Sequence, residues 1–123
     1  MQPDIEIYVL SCPTDAILQW LSDRFEASEV RSSGVNTTLT LTHDGTLIPV
    51  TIIEQAAGKR FTSIWFDSEH TPWATDVECA KDAYAALGCE VRCNYQGWQE
   101  SGEDDPDQWW RINTHGEGPY IWR

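Results

Sequence analysis

At 123 residues, 41% hydrophobic and 23% charged, the chain has the size and balance of one globular domain, able to bury roughly two thirds of its unfolded surface. Its formal charge of −12, from 20 acidic against 8 basic residues, excludes a surface built to hold phosphate backbones and is repelled by anionic membranes. The expected partner is therefore a basic protein, with no nucleic acid and no membrane.

Asp4 to Leu10 alternates, with Ile5, Ile7 and Val9 on one face and Glu6, Tyr8 and Leu10 on the other, as in a central strand. Pro13, Thr14 and Asp15 open a helix, where Pro suits the first turn and Asp the positive end of the dipole. Ile17, Leu18, Leu21 and Phe25 form its buried stripe, and Trp20 lies at the stripe's edge. Glu26 to Asn36 is polar and reads as a loop with a short strand around Val30.

Thr37 to Thr42 alternates Thr and Leu, Asp44-Gly45 signals a type I′ turn, and Leu47 to Glu54 is rich in strand formers. A two-residue turn pairs His43 with Thr46, Leu41 with Ile48, Leu39 with Val50 and Thr37 with Ile52. Pro49 then opposes Thr40 in a non-hydrogen-bonded pair, so its missing N–H leaves this hairpin intact. A second turn at Ala56-Ala57-Gly58-Lys59 leads to a third strand, Phe61 to Phe66, and a loop over Asp67 to Ala74 follows.

Thr75-Asp76-Val77-Glu78 fits a capping box, the Thr75 hydroxyl accepting from the Glu78 amide and the Glu78 carboxylate from the Thr75 amide. Val77, Ala80, Ala83, Tyr84 and Leu87 recur at helical spacing up to Gly88, a left-handed cap. The period then switches to two, with Cys89, Val91, Cys93 and Tyr95 facing one way and Glu90, Arg92 and Asn94 the other. Residues 96–108 carry Gly97, Gly102 and Pro106 among acids, the pattern of a mobile loop. Trp109 to Ile112 and Tyr120 to Trp122 read as short strands around a His115-Gly116-Glu117-Gly118 turn.

The resulting order, β-α-β-β-β-α-β plus a C-terminal β-hairpin, predicts one α+β domain over residues 1–123. Its expected packing is a two-layer sandwich of ferredoxin-like flavour, both helices on one face of a mostly antiparallel sheet. No apolar run approaches the roughly 18–20 residues that span a bilayer. Met1-Gln2-Pro3-Asp4 passes directly into a strand pattern without a basic-then-apolar leader, and the expected location is the cytoplasm.

Candidate chemistry is sparse. His43, His70 and His115 form no pattern that sets two metal ligands on one element, leaving only a folded site that gathers Cys89 or Cys93 with a loop His. No metal and no cofactor is expected. The four cysteines contain no Cys-x-x-Cys, and Cys89 and Cys93 lie about 13 Å apart along a strand, so reduced thiols are expected. Cys12, before a helix N-terminus, is the one thiol whose place suggests a lowered pKa. Gly116-Glu117-Gly118 lacks the Lys and following helix of a phosphate loop. The Glu103-Asp104-Asp105-Pro106-Asp107 run lacks the alternation and Gly of an EF-hand loop.

What remains is an acid segment beside large rings. Trp98, Glu100, Glu103, Asp104, Asp105, Asp107, Trp109, Trp110, Tyr120 and Trp122 are the candidate binding residues. Trp109 and Trp110 point to opposite faces of a strand, so they cannot both enter one core. The sequence thus favours a non-enzymatic binding protein, immunity- or inhibitor-like, whose acidic loop and adjacent aromatics dock a basic protein. The alternative is a small-molecule or carbohydrate site in a Trp/Tyr-lined cleft, with or without catalysis.

Overall fold

The computed structural model describes residues 4–58, 60–94 and 108–121. They form an α+β fold with one eight-stranded antiparallel sheet and two helices. In chain order the elements are β1 (Ile5–Leu10), α1 (Thr14–Arg24), β2 (Glu26–Ser33), β3 (Asn36–His43), β4 (Thr46–Ile53) and β5 (Phe61–Phe66). They continue with α2 (Asp76–Leu87), β6 (Val91–Asn94), β7 (Gln108–Asn113) and β8 (Gly116–Ile121).

The sheet order is β2-β3-β4-β5-β1-β6-β7-β8, and each neighbouring pair is antiparallel. β1 is central as expected, joining a β2–β5 meander to a β6–β8 meander. β5 and β6 flank β1 and run parallel to each other, so α2 closes a β-α-β unit with an opposed strand between its two arms. α1 connects β1 to the far edge strand β2.

Period-two alternation decides which face each strand buries. Ile5, Ile7 and Val9 are at most 1% exposed. They share a cluster with Leu39, Leu41, Ile48, Val50, Ile52, Ile64, Phe66, Val91, Cys93 and Ile112 and with the buried residues of both helices. Ile17, Leu21 and Trp20 come from α1, and Cys79, Ala80 and Ala83 from α2. Trp20 is thus core, while Leu18 is only partly buried. Its indole meets Phe66 and Trp73 with ring centroids 6.4 and 6.0 Å away.

The β3–β4 hairpin has the expected register throughout, from His43↔Thr46 to Thr37↔Ile52, with Thr40 opposite Pro49. Asp44 and Gly45 both have positive φ, 51° and 77°, as a type I′ turn requires. The missing Pro49 N–H falls at the end of the β4–β5 ladder, where the Pro49 carbonyl still accepts from Asp67 N–H at 2.9 Å. α2 is capped as its sequence implies at Thr75, whose hydroxyl accepts from Glu78 N–H at 3.2 Å, and at Gly88, φ 71°. The reciprocal reach differs by one residue: Glu78 Oε1 accepts from the Ala74 amide, not that of Thr75.

Three other boundaries are corrected. Residues 26–33 are not a loop with a short strand around Val30 but one eight-residue edge strand, β2, paired with β3. An edge strand needs no apolar alternation when one face and one edge meet water, and only Ala27 packs against the core. A bulge between Ser28 and Arg31, with Glu29 at φ 56°, twists that edge. Cys89 and Glu90 precede β6 instead of opening it. The final turn is Thr114-His115, so Gly116, Glu117 and Gly118 lie inside β8. Within the expected 96–108 loop, residues 96–107 lie outside the described residues and Gln108 opens β7. No helix among the described residues is long and apolar enough to cross a membrane.

Candidate functional site

On the sheet face opposite the core cluster, the alternate residues converge on a patch of rings and guanidinium groups. β5 supplies Phe61, Ser63 and Trp65, and β1 supplies Glu6, Tyr8 and Leu10. β6 adds Arg92, β7 adds Trp109 and Arg111, and β8 adds Tyr120. Cross-strand pairs Leu10↔Phe61, Glu6↔Trp65, Tyr8↔Arg92, Arg92↔Arg111 and Trp109↔Tyr120 hold them in register. Phe61 is buried yet lies outside the core cluster, because its ring belongs to this second face.

Arginine and aromatic side chains interleave here. The Arg92 guanidinium lies 4.7 Å from the Phe61 ring centroid and 4.6 Å from that of Tyr120. Arg111 lies 4.1 Å from the Tyr120 centroid, so two cations share one ring. Glu90 orients Arg92, accepting from Nε at 2.9 Å and from Nη2 at 2.8 Å, with both side chains under a fifth exposed. The other Glu90 oxygen accepts from Asn113 Nδ2 at 3.2 Å. Such a partly buried pair, with two guanidinium nitrogens on one carboxylate oxygen, is far better positioned than a surface ion pair.

Tyr8 meets Trp109 edge to face, centroids 5.5 Å apart at 80°. The Trp65 indole donates to Asp4 Oδ2 at 2.7 Å, and the Ser63 hydroxyl to Glu6 Oε2 at 2.7 Å. Burial raises the Tyr8 phenol above its ordinary value, and the neighbouring Glu6 carboxylate adds to that through its charge and a hydrogen bond. The phenol therefore stays protonated and serves as a donor, not a base. The polar atoms of Tyr8, Ser63, Trp65 and Arg92 are engaged with neighbouring carboxylates, which stiffens the side chains that carry them.

The structure divides the sequence-predicted site. Trp109 and Tyr120 join this face, half-buried. Trp110 does not: it turns to the core side, packs against the cluster and donates its indole N–H to Glu117 Oε1 at 3.0 Å. Trp98, Glu100, Glu103, Asp104, Asp105, Asp107 and Trp122 lie outside the described residues. Sequence reasoning missed Tyr8, Phe61, Trp65, Arg92 and Arg111. The signal was present in the alternation of Phe61-Thr62-Ser63-Ile64-Trp65-Phe66, where each face carries large residues, and in Arg92 and Arg111 falling between core positions. No family model, curated protein or solved structure matches the chain.

The other candidates resolve into structure. Cys12 does not have a lowered pKa; burial pushes its thiol up to about 12, helped by the adjacent Cys89. The helix dipole is outweighed because the thiol sits beneath the strand–helix junction, only 6% exposed. His43 packs on Phe25 at 5.6 Å, His70 lies in the loop before α2, and His115 sits in the β7–β8 turn. Among the described residues, no group of three His, Cys, Asp or Glu side chains is placed to hold a metal ion. An open cavity of about 290 Å³ at the start of α1 is bordered by Ser11, Cys12, Thr14, Glu54 and Arg60. Within it Thr14 Oγ1 donates to Glu54, and Arg60 Nε to Ser11 Oγ at 3.0 Å.

Proposed function

We propose that this chain is a non-enzymatic binding protein of the cytoplasm, immunity- or inhibitor-like, that docks a basic protein. The observation that carries the reading is the convergence of Tyr8, Phe61, Trp65, Trp109 and Tyr120 on one sheet face from β1, β5, β7 and β8. Rings held this way lose little side-chain entropy on contact, which is why aromatic and Arg side chains so often anchor interfaces. The formal charge of −12 supplies the long-range attraction for a basic surface, and the acids at 100–107 immediately precede β7 in the chain. All four cysteines are free, which suits a reducing compartment.

The finer architectural reading, a two-layer sandwich of ferredoxin-like flavour, is part of the same proposal. Its support is the β5-α2-β6 unit around β1, together with α2 packing on β6, β1 and β7 and touching α1. That packing leaves the aromatic face clear of both helices.

The test is affinity capture from native lysate across a salt series, comparing wild type with Trp65→Ala/Trp109→Ala and with Trp110→Ala. The reading expects a basic protein retained at low salt, lost from the double variant by at least tenfold, and kept by Trp110→Ala. Equal retention by all three proteins, or an acidic partner, overturns it. A second reading, a small-molecule or carbohydrate site, draws on the same rings beside the Glu6 and Asp4 carboxylates. A thermal shift with one member of a sugar and metabolite panel, abolished by Trp109→Ala, would favour that reading instead.

A further inference from the structure

The end of β1, the start of α1 and the β4–β5 turn border a cavity of about 290 Å³ that lies off the aromatic face. Thr62, which lines it, points to the helix side of β5, opposite in alternation to Phe61 and Ser63. Ser11 N–H donates to the Arg60 carbonyl at 2.6 Å, one step beyond the Leu10↔Phe61 pair, so the ladder itself sets Arg60 beside the start of α1. Ser11 at φ 53° and Gln55 at φ 58° turn the two chains out of the sheet at the cavity's rim.

Several polar groups at this cavity are unsatisfied. The 11-residue helix α1 follows Pro13, which supplies no side-chain cap, and the Pro13 carbonyl accepts from Ala16 and Ile17. Among the described residues the Thr14 and Asp15 amides have no acceptor, which leaves two donors at the positive end of the helix dipole. The Thr62 hydroxyl also has no partner among the described residues, although Thr62 is only 6% exposed. No fully enclosed side-chain oxygen among them is unpaired, so the surface that this hydroxyl keeps opens on the cavity Thr62 lines.

Arg60 and Glu54, both exposed, border the same cavity without pairing with each other. Each is held by a hydroxyl instead: Arg60 Nε donates to Ser11 Oγ at 3.0 Å, and Thr14 Oγ1 donates to Glu54 Oε2. The terminal nitrogens of Arg60 and the second oxygen of Glu54 have no partner among the described residues.

We propose that this cavity binds a free α-amino acid as its zwitterion. The Thr14 and Asp15 amides and the Arg60 guanidinium receive the carboxylate, because a helix N-terminus and a planar cation both favour that charge. The Thr62 hydroxyl donates the innermost hydrogen bond to it, and Glu54 receives the ammonium group. A simple anion would stand against Glu54, and a simple cation would leave Arg60 and the helix amides unanswered. The chain's charge of −12 also repels a free anion, whereas a zwitterion carries no net charge. The cavity's volume suits a molecule of this size.

The experiment titrates the full chain with L-alanine, L-leucine and L-glutamine, and with acetate and methylamine at the same ionic strength, by calorimetry and amide NMR. Saturable binding of at least one amino acid is expected, with shifts centred on residues 11–15, 54–55 and 60–62. Acetate and methylamine should bind at least about tenfold more weakly. Arg60→Gln and Glu54→Gln should each weaken binding about tenfold; both side chains are exposed, and Gln at 54 keeps an acceptor for Thr14. Thr62→Val should weaken binding about threefold or more while its melting temperature stays level or rises, which a purely structural hydroxyl would not do. Overturning results are the absence of saturable binding by all three amino acids, acetate or methylamine binding as tightly as they do, shifts centred elsewhere, or unchanged affinity in Arg60→Gln and Glu54→Gln.

Discussion

At the scale of single residues, two carboxylates at α2 do opposite things. Asp82 is a hub: its oxygens accept from the Trp73 indole at 2.9 Å and the Trp20 indole at 3.4 Å, and pair with Arg24 at 2.8 Å. Asp82→Ala leaves two indole N–H groups near the core without that acceptor and should cost about 2–3 kcal/mol in chemical denaturation. Asp76 lies at the start of α2, and burial, then the charge of Asp4, then that of Glu6, raise its pKa from 3.8 to about 7; the Glu6 backbone N–H pulls the other way. A carboxyl whose folded pKa is raised binds its proton more tightly when folded. Its contribution is therefore complete below about pH 4 and is lost as pH rises through about 7, on the order of 3–4 kcal/mol in all. Asp76→Asn keeps an acceptor for Glu6 N–H but cannot ionise, so its stability should stay flat between pH 5 and 8 while that of wild type falls. Melting curves across that window check this, and parallel pH profiles for the two proteins would refute it. Neither hub was legible beforehand. Trp73 lies in a loop without periodicity, and Asp76 reads as an ordinary dipole partner until the fold brings Asp4 and Glu6 against it. Legible were the opposed directions of Trp109 and Trp110, because alternation needs only that the segment be a strand.

At the scale of elements, legibility tracks how much local chemistry each piece carries. α2 was readable because both ends are capped by side chain or glycine, and the β3–β4 hairpin because an Asp-Gly turn and two alternating strands demand the same register. β2 was not, since Glu-Ala-Ser-Glu-Val-Arg-Ser-Ser offers one half-buried alanine and an interrupting bulge; pairing with β3 alone makes it a strand. The hairpin turn gives a direct test of this difference. Gly45 holds φ 77° in open space, so Gly45→Ala meets no atom and is opposed by backbone conformation alone. The expected loss is about 1 kcal/mol, read from the denaturation midpoint. An alanine at Val30, exposed on the edge strand, should change stability by less than about 0.5 kcal/mol. If Val30→Ala costs more than Gly45→Ala, β2 contributes far more than its exposure implies.

Across the whole molecule, β1 is the strand on which both meanders depend. It begins the chain's described part, yet its partners are β5 and β6, so the sheet becomes continuous only after residues far apart in sequence have met. Its separations favour slow folding over a local, helix-first route. They also bear on whether the chain is one cooperative unit. Ile7 sits at the centre, opposite Ile64 on one side and Cys93 on the other, with no exposed surface. Truncating it to alanine removes contacts from both meanders and should cost about 3–4 kcal/mol. In a single domain the loss moves one transition, and circular dichroism and tryptophan fluorescence shift together by the same amount. The aromatic groups report separately on the two faces, since Trp20 and Trp73 lie in the helix-side core while Trp65 and Trp109 lie on the other. Ile7→Ala curves that separate into two steps would mean that the sheet divides at β1. The aromatic face, which draws Trp65 from one side of that strand and Trp109 from the other, would then lose its rigidity.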